Sequence, residues 1–232
     1  MKLAVISDIH GNIYALMKAL EDIDEQKVDK IICLGDLVGY GPHPNEVVAL
    51  IRRREIPCIK GNYDASVVDG DYTYIRNTAI NSFALPWAIN EVRVANKYFL
   101  DSLPTSLKYT LNGVNFLFTH GSPNAINDYL FEDAANTIEV MNQLDDDVLV
   151  CAHTHIPCAK KYGNKLLINV GSVGKPKIGR PNITYAILDI NNLGKVDVTI
   201  RELKYEYKRI MKDCTMLNFP SAIVNSYETG QE

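Results

Sequence analysis

The sequence lacks any hydrophobic run that approaches the roughly 18 residues needed to cross a lipid bilayer. Its first apolar segment, residues 1–7, is too short for a signal peptide and is followed at once by Asp8. From these two absences we expect no membrane partner and a cytoplasmic location.

An excess of basic residues is also missing, since 24 Lys and Arg stand against 28 Asp and Glu, giving a net charge of −4. This balance gives no general reason to expect a nucleic-acid partner. The five cysteines contain no C-x₂-C pair, which disfavours a structural zinc cluster, and a disulfide framework is unusual in a chain of this size and location. Cys151 and Cys158 flank two histidines, so a zinc knuckle stays open as a minor alternative.

The length of 232 residues favours one domain, residues 1–232. Over the first 60 residues, short apolar runs that end in turns alternate with segments of helical periodicity. The predicted elements are strands at 2–7, 31–34 and 57–60 and helices at 13–23 and 44–54. This order is typical of an α/β fold with parallel strands.

Residues 65–103 carry helical patterns and are predicted to form a segment that covers the site. Beyond them, Asn112-Gly113 and Gly163-Asn164 each join two short apolar runs, which predicts hairpins. The predicted elements of this half are strands at 115–119, 147–151, 166–170, 183–190 and 196–203 and a helix at 134–144. The tail, residues 205–232, is predicted to be partly helical with a loosely ordered end.

Polar side chains follow five of the predicted strands, at the point where each strand ends. They are Asp8, His10, Asp36, Asn62, His120, His153 and His155. The ligand crevice of an open α/β sheet lies at the carboxyl ends of its strands, so segments far apart in sequence converge there. Each pair or single residue is by itself common turn chemistry. Five such segments in register with five strand ends are hard to explain as caps and turns.

The set of two Asp, one Asn and four His provides nitrogen and oxygen ligands without a thiolate. Such ligands suit divalent manganese, iron, zinc, cobalt or nickel. Seven ligands are too many for one tetrahedral ion but suit two ions that share a carboxylate. Two ions about 3.5–4 Å apart can hold a hydroxide nucleophile and stabilise an in-line phosphoryl transition state. The chemistry therefore predicts two divalent metal ions and hydrolysis of phosphoesters.

The motifs resemble those of the calcineurin-like metallophosphoesterases, particularly the small prokaryotic phosphodiesterases. They are Asp8-Ile9-His10-Gly11-Asn12, Gly35-Asp36, Gly61-Asn62-Tyr63-Asp64, Thr119-His120-Gly121, His153-Thr154-His155 and Asn169-Val170-Gly171-Ser172-Val173-Gly174. The resemblance covers roughly residues 1–190. It implies an α/β fold built as a two-sheet β-sandwich of mixed strands, flanked by helices, with a helical middle segment.

The resemblance also implies how the ligands divide between two metals. The first metal would be held by Asp8, His10, Asp36 and His155. The bridging residue would be Asp36, and the second metal would be completed by Asn62, His120 and His153.

Tyr63 departs from the family pattern, in which many members have a histidine that contacts the phosphate and protonates the leaving group. A phenol with a pKa near 10 is a poorer acid at neutral pH. Weak general-acid help favours good leaving groups, so we predict a phosphodiesterase or nucleotide-polyphosphate hydrolase, with Tyr63 and Asn62 as catalytic residues. The alternative is that Tyr63 only packs.

Three further residues are predicted to bind the substrate: Asn12, His43 and Ser172. Asn12 stands at a helix start, where it either caps the helix or helps hold phosphate. His43 lies in the rigid segment Gly41-Pro42-His43-Pro44, which is either solvated or in contact with the substrate. Lys175, Lys177 and Arg180 form either a solvated face or a basic rim that attracts anionic substrates.

Two other functions remain open at this point. One is a protein phosphatase or general monoester phosphatase, which the short chain makes less attractive. The other is a non-catalytic interaction scaffold of the same fold, which the presence of all seven metal ligands disfavours. The expected partner is a small phosphoester or nucleotide, and the middle helices and the 205–232 tail are candidate surfaces for a homo-oligomer.

Overall fold

Two β-sheets pack face to face at the centre of the protein in a computed structural model that describes residues 1–231. The strands are β1 (Lys2–Ile6), β2 (Lys30–Cys33), β3 (Ser106–Leu111), β4 (Val114–Thr119), β5 (Val148–Cys151), β6 (Cys158–Tyr162), β7 (Lys165–Asn169), β8 (Asn182–Ile190) and β9 (Val196–Lys204). One sheet has the order β2-β1-β8-β9 and the other β3-β4-β5-β7-β6.

Helices cover the outer faces of both sheets. They are α1 (Ile13–Glu25), α2 (Pro44–Arg53), α3 (Asn62–Asp69), α4 (Ala79–Glu91), α5 (Val94–Asp101), α6 (Ala135–Gln143), α7 (Tyr207–Met216) and α8 (Ser221–Thr229). Among the residues that the structure describes, no helix is both long and apolar enough to cross a membrane.

Both sheets contain parallel and antiparallel pairs. Strand β1 runs parallel to β2 and antiparallel to β8, while β4, β5 and β7 are mutually parallel. Side chains of a strand point alternately to its two faces, and both faces of β1 are buried. Leu3 and Val5 pack between the sheets, and Ala4 and Ile6 pack against the helices. The predicted two-sheet α/β sandwich of mixed strands is confirmed.

Three apolar clusters correspond to the layers. The central cluster lies between the sheets and includes Phe116 and Phe118, which are fully buried. The largest cluster joins the four-stranded sheet to α1–α5, α7 and α8, and a small one joins the five-stranded sheet to α6. Because both sheets are enclosed on both sides, their strand ends are held in fixed positions. The polar residues that follow the strands lie at these ends.

The turn chemistry behaves as the sequence predicts. Asn112 and Gly113 both have positive φ, 48° and 81°, as a two-residue turn matched to the strand twist requires. They join β3 to β4, which pair antiparallel. Residues 163–164 likewise join β6 to β7, so both predicted hairpins are confirmed.

Two predictions about secondary structure are wrong. Residues 57–60 form no strand and make only a single bridge, between Cys58 and Cys33. Pro57 has no N–H to donate to a ladder, and the Lys60 N–H turns away to the Pro104 carbonyl. The tail is partly helical as predicted, but its end is better ordered than expected, because α7 and α8 bury Ile210 and Tyr227 against the largest cluster. Its last residue, Glu232, lies outside the described residues.

Candidate metal centre

The residues that follow the strands adopt an unusual backbone conformation. Positive φ values occur at Asp8 (51°), His10 (48°), Asp36 (52°), His153 (65°) and His155 (60°). Residues other than glycine rarely adopt this left-handed region, which costs on the order of 1–3 kcal/mol where the surroundings impose it. Five of the seven predicted ligands therefore lie in strained turns that point their side chains toward a common centre.

Backbone hydrogen bonds hold the first two of these turns together. The Asp8 N–H donates to the Gly35 carbonyl at 3.1 Å, and the His10 N–H donates to the Asp36 carbonyl at 2.9 Å. Main-chain hydrogen bonds alone thus fix the turn after β1 to the turn after β2.

The side chains form two buried triads that could each hold a metal ion. The first contains Asp8, His10 and His155, and the second contains Asp36, His120 and His153. Within each triad the candidate ligand atoms lie within 4.8 Å of one another. All seven predicted ligands are buried, with at most 6 % of their surface exposed.

Asp36 stands between the two triads. Its Oδ2 lies 3.6 Å from His10 Nε2 of the first triad and 3.4 Å from His120 Nε2 of the second. Asn62 joins the second group, since its Oδ1 lies 2.9 Å from His120 Nε2. The structure therefore brings together all seven predicted ligands, with Asp36 placed where a carboxylate could serve both metals.

Three of the four imidazoles are oriented by main-chain carbonyls. The Nδ1 atoms of His10, His120 and His155 lie 3.0, 2.8 and 2.5 Å from the carbonyls of Val38, Leu34 and Lys175. A ring that donates Nδ1–H in this way directs its Nε2 into the cluster, where Nε2 can serve as a metal ligand once it is unprotonated. Yet His10 Nε2 and His155 Nε2 face each other at 3.2 Å, an arrangement of lone pairs that calls for a cation between them.

The charges show the same need for a cation. Burial opposes ionisation of Asp8, but the surrounding histidines, led by His155, hold the pKa of its carboxyl well below the usual range. Burial likewise disfavours the charged form of His120, but the neighbouring Asp36 carboxylate raises the pKa of this imidazole to about 10. The opposite happens at His153, where burial and the charge of His120 lower the pKa to about 3. Two buried carboxylates thus draw positive charge into the cluster.

Two buried polar atoms of the cluster make no hydrogen bond within the described residues: Asp8 Oδ1 and His153 Nε2. A buried acceptor without a partner costs about 1–3 kcal/mol, and a charged one costs more. Both atoms belong to the triads and face their centres. The donor set, its orientation and these two atoms fit a pair of divalent metal ions.

Asp64 is a supporting residue to which we assigned no role from the sequence. Its fully buried carboxylate accepts hydrogen bonds from the N–H groups of Leu37 and Gly61, at 2.9 and 3.0 Å. It thereby ties the turn that carries Asp36 to the start of α3, which carries Asn62. Burial, with the nearby charge of Asp36, raises the pKa of Asp64 to about 7. Asp64 is the third residue of a helix that begins after a glycine. An acidic residue at this position is a capping signal that the sequence shows.

Gly61 is required by close packing against the bridging carboxylate. A Cβ at this position would lie 2.1 Å from Asp36 Oδ1. No side chain other than hydrogen leaves room there, which explains the glycine in the Gly61-Asn62 pair.

A cavity of about 410 Å³ opens over the two triads. One wall comes from the segment before α4, including Tyr74, Ile75 and Arg76. Another part of the wall comes from the loop between β4 and α6, including Asn127 and Tyr129, and the two parts meet where Arg76 contacts the Tyr129 ring. The covering role predicted for residues 65–103 is thus shared with a loop that the sequence patterns did not single out. This volume lies in the range of small-molecule sites.

Tyr63 lines the cavity beside the first triad, with its ring 5.4 Å from that of His10. Its hydroxyl donates to Asn81 Oδ1 at 2.6 Å, and the Tyr40 hydroxyl donates to the same oxygen at 2.9 Å. The Tyr63 N–H donates to Asp36 Oδ1 at 2.8 Å. Asn81, at the start of α4, was not recognised from the sequence, because no motif or periodicity distinguishes it.

The three residues predicted to bind substrate do not line this cavity. Asn12 caps α1 by accepting from the Ala15 N–H, and its amide donates to the Gly174 carbonyl. The Ser172 hydroxyl donates to the Asp8 carbonyl and so supports the first turn. His43 pairs with Asp213 of α7 at 2.9 Å. Each side chain has a structural partner, and its predicted contact with the substrate stays a prediction.

The three basic residues after the glycine turn also separate. Lys177 lines the cavity, while Arg180 forms an exposed ion pair with Glu202. Lys175 is buried, with its ammonium 4.7 Å from the centre of the Tyr40 ring. Of the predicted basic rim, only Lys177 lies at the site. The cysteines are free thiols, so neither a disulfide nor a zinc knuckle forms among the described residues.

Comparison with known proteins places this geometry in a family. Residues 1–193 match the model of the calcineurin-like phosphoesterase superfamily domain. The chain is 35 % identical to the uncharacterized protein MJ0912 of Methanocaldococcus jannaschii, over 91 % of this chain and 92 % of that protein. It is 29 % identical to phosphodiesterase YfcE of Escherichia coli K12, over 82 % and 88 % of the two chains.

A solved structure supports the same family. The metallophosphoesterase from Sphaerobacter thermophilus superposes with a TM-score of 0.84 at 26 % identity, covering 99 % of each chain. The fold, the ligand set and these relatives together define a metal-dependent phosphoesterase. The chain belongs to the calcineurin-like phosphoesterase superfamily.

Replacement of Asn12 by alanine separates the capping role from the predicted phosphate contact. Asn12→Ala removes the helix cap and leaves the buried Gly174 carbonyl without its donor, so the free energy of unfolding should fall by about 1–3 kcal/mol. KM for a phosphoester should stay within about twofold, because the side chain lies outside the cavity. Denaturant unfolding and steady-state kinetics measure the two effects. The exposed Asn225→Ala is the control, and a large rise in KM with unchanged stability would contradict the capping role.

Proposed function

We propose that this protein uses two divalent metal ions to hydrolyse small phosphodiesters or nucleotide polyphosphates. The observation that carries the proposal is the pair of buried triads joined through Asp36. In it, Asp8, His10 and His155 would hold one ion, and Asn62, His120 and His153 would hold the other. The ligands suit manganese, iron, zinc, cobalt or nickel.

When bound, such a metal pair lowers the pKa of water and stabilises the charge that develops on a transferring phosphoryl group. The protein's own groups orient the ligands and shape the space above them. Main-chain carbonyls fix three imidazoles, and Asp64 fixes the turn that carries Asp36. Residues of the segments 74–81 and 127–136 line the cavity in which the substrate would bind.

The size of the cavity supports a small substrate over a phosphoprotein. Its volume is about 410 Å³, and residues of both triads line it. A folded protein partner requires a broad open surface, whereas a cleft of this size encloses a molecule the size of a nucleotide. The similarity to a protein named phosphodiesterase supports the same choice.

The setting of Tyr63 supports substrates with good leaving groups. The phenol proton is engaged with Asn81 Oδ1 at 2.6 Å, and an ordinary phenol is a weak acid near neutral pH. Neither feature favours rapid protonation of an alkoxide. Aryl diesters and phosphoanhydrides are cleaved without that help, because their leaving groups are already weak bases.

Metal reconstitution tests the proposal. Protein loaded with manganese, iron, cobalt, nickel or zinc should hydrolyse bis(p-nitrophenyl) phosphate or a dinucleoside polyphosphate faster than p-nitrophenyl phosphate. Asp36→Asn should lose at least a hundredfold in kcat/KM and bind fewer than two metal equivalents, because the shared carboxylate is gone. Plasma mass spectrometry measures the metal content of both proteins.

The matched control is Asp24→Asn, which removes an exposed carboxylate that pairs with Arg54. It should keep both the metal content and the activity of the unaltered protein. Absence of turnover with every metal in the panel, together with no metal bound at Asp36, would overturn the enzyme proposal.

A series of aryl phosphodiesters tests the part played by Tyr63. Because the phenol gives little proton transfer, log kcat should fall steeply as the pKa of the leaving phenol rises. Tyr63→His supplies a group that titrates near neutrality and should flatten this slope, with the largest gain for the poorest leaving group. A slope near zero in the unaltered protein, with chemistry rate-limiting, would refute weak acid catalysis.

A further inference from the structure

Arg76 is a cationic side chain on the cavity wall that no motif of the sequence marks. Its guanidinium carbon lies 4.2 Å from the centre of the Tyr129 ring. The same tyrosine ring lies 4.2 Å from the ring of His153, a member of the second triad. Tyr129 therefore connects Arg76 to the metal centre through direct ring contacts.

The backbone at Arg76 is also fixed. Asn81 Nδ2 donates to the Arg76 carbonyl at 2.8 Å, while Asn81 Oδ1 accepts from Tyr63. One amide therefore holds both the loop that carries Arg76 and the tyrosine beside the first triad. The main chain of Arg76 is therefore tied to the same residue that contacts Tyr63.

The contact with the face of the Tyr129 ring leaves the N–H groups of the guanidinium for an anionic ligand. A guanidinium packed on an aromatic face keeps its N–H groups in its own plane, where they can meet two oxygens of one phosphate. Within residues 1–231, no carboxylate forms an ion pair with Arg76, and its side chain donates no hydrogen bond. Asp128 also lines the cavity, but its carboxylate accepts from the Ser122 hydroxyl at 2.6 Å.

The charge requirement of the site distinguishes between substrate classes. One phosphoryl group occupies a metal pair, and a simple diester carries no further negative charge. A phosphoanhydride carries a second anionic phosphoryl group beside the reacting one. Two basic residues, Arg76 and Lys177, line the cavity in which this second group would lie.

We propose that Arg76 binds the second phosphoryl group of a phosphoanhydride substrate and so selects nucleotide polyphosphates over simple diesters. This inference rests on the proposed two-metal function and narrows its substrate class. Arg76 is a specificity residue here, because it contacts the part of the substrate that leaves.

Binding of two inorganic probes tests the inference. Inorganic phosphate supplies only the group held by the metals, whereas inorganic pyrophosphate supplies the second phosphoryl group as well. In metal-loaded protein at fixed free metal, calorimetry should show tighter binding of pyrophosphate. Arg76→Ala should weaken pyrophosphate binding about tenfold, as expected for loss of a charge-assisted hydrogen bond, and change phosphate binding less than threefold.

Kinetics supply the second readout. Arg76→Ala should lower kcat/KM for a dinucleoside polyphosphate about tenfold and leave that for bis(p-nitrophenyl) phosphate within threefold. Arg53→Ala, which removes an exposed arginine of α2 outside the cavity, is the control and should change neither. Thermal unfolding checks that both variants are folded.

Two results would overturn the role of Arg76: equal binding of phosphate and pyrophosphate by the unaltered protein, or an equal loss for both anions in Arg76→Ala. The second would mean that Arg76 acts only by packing on Tyr129. Failure of the two-metal function would be distinguishable, since it would abolish turnover of every phosphoester in the unaltered protein, whereas failure of the Arg76 role alone would leave turnover of bis(p-nitrophenyl) phosphate in place.

Discussion

Two carboxylates buried side by side, Asp8 and Asp36, impose the main physical constraint on this structure. Neither has more than 1 % of its surface exposed, and both lie at the end of a sheet with no solvent to screen them. Like charges in such a place repel and lower stability unless positive charge accompanies them. The raised pKa of His120 is one response, and a pair of divalent ions is a fuller one. The orientation of the imidazoles follows from the same requirement.

Holding these groups together requires a backbone conformation that residues other than glycine rarely adopt. The left-handed turns at the candidate ligands persist because contacts with the surrounding layers hold them in place. The apolar cluster between the sheets fixes the strands, cross-turn hydrogen bonds fix the loops, and Asp64 and Gly61 adjust the fit around Asp36. Chemistry and stability are thus divided between elements: the buried sheets supply rigidity, and the strand ends carry the strain.

Much of the fold and the ligand set follows from local rules in the sequence. Short apolar runs that end in polar residues locate the strands, and the convergence of strand ends locates the ligands. Residues 57–60 show the limit, because an apolar run alone does not reveal that Pro57 and the neighbouring chain path prevent a ladder. Asn12 and His43 lie near motif residues in sequence but point to structural partners. Arg76 and Tyr129 meet only through tertiary packing of two irregular loops, which no periodicity encodes.

The central claim is that one carboxylate joins two metal ions held by the two triads. Crystals of the protein reconstituted with manganese, measured with X-rays on either side of the manganese absorption edge, test it most directly. We expect two anomalous peaks, one among Asp8, His10 and His155 and the other among Asn62, His120 and His153, with Asp36 in contact with both. A single peak, or two peaks of which only one touches Asp36, would contradict it.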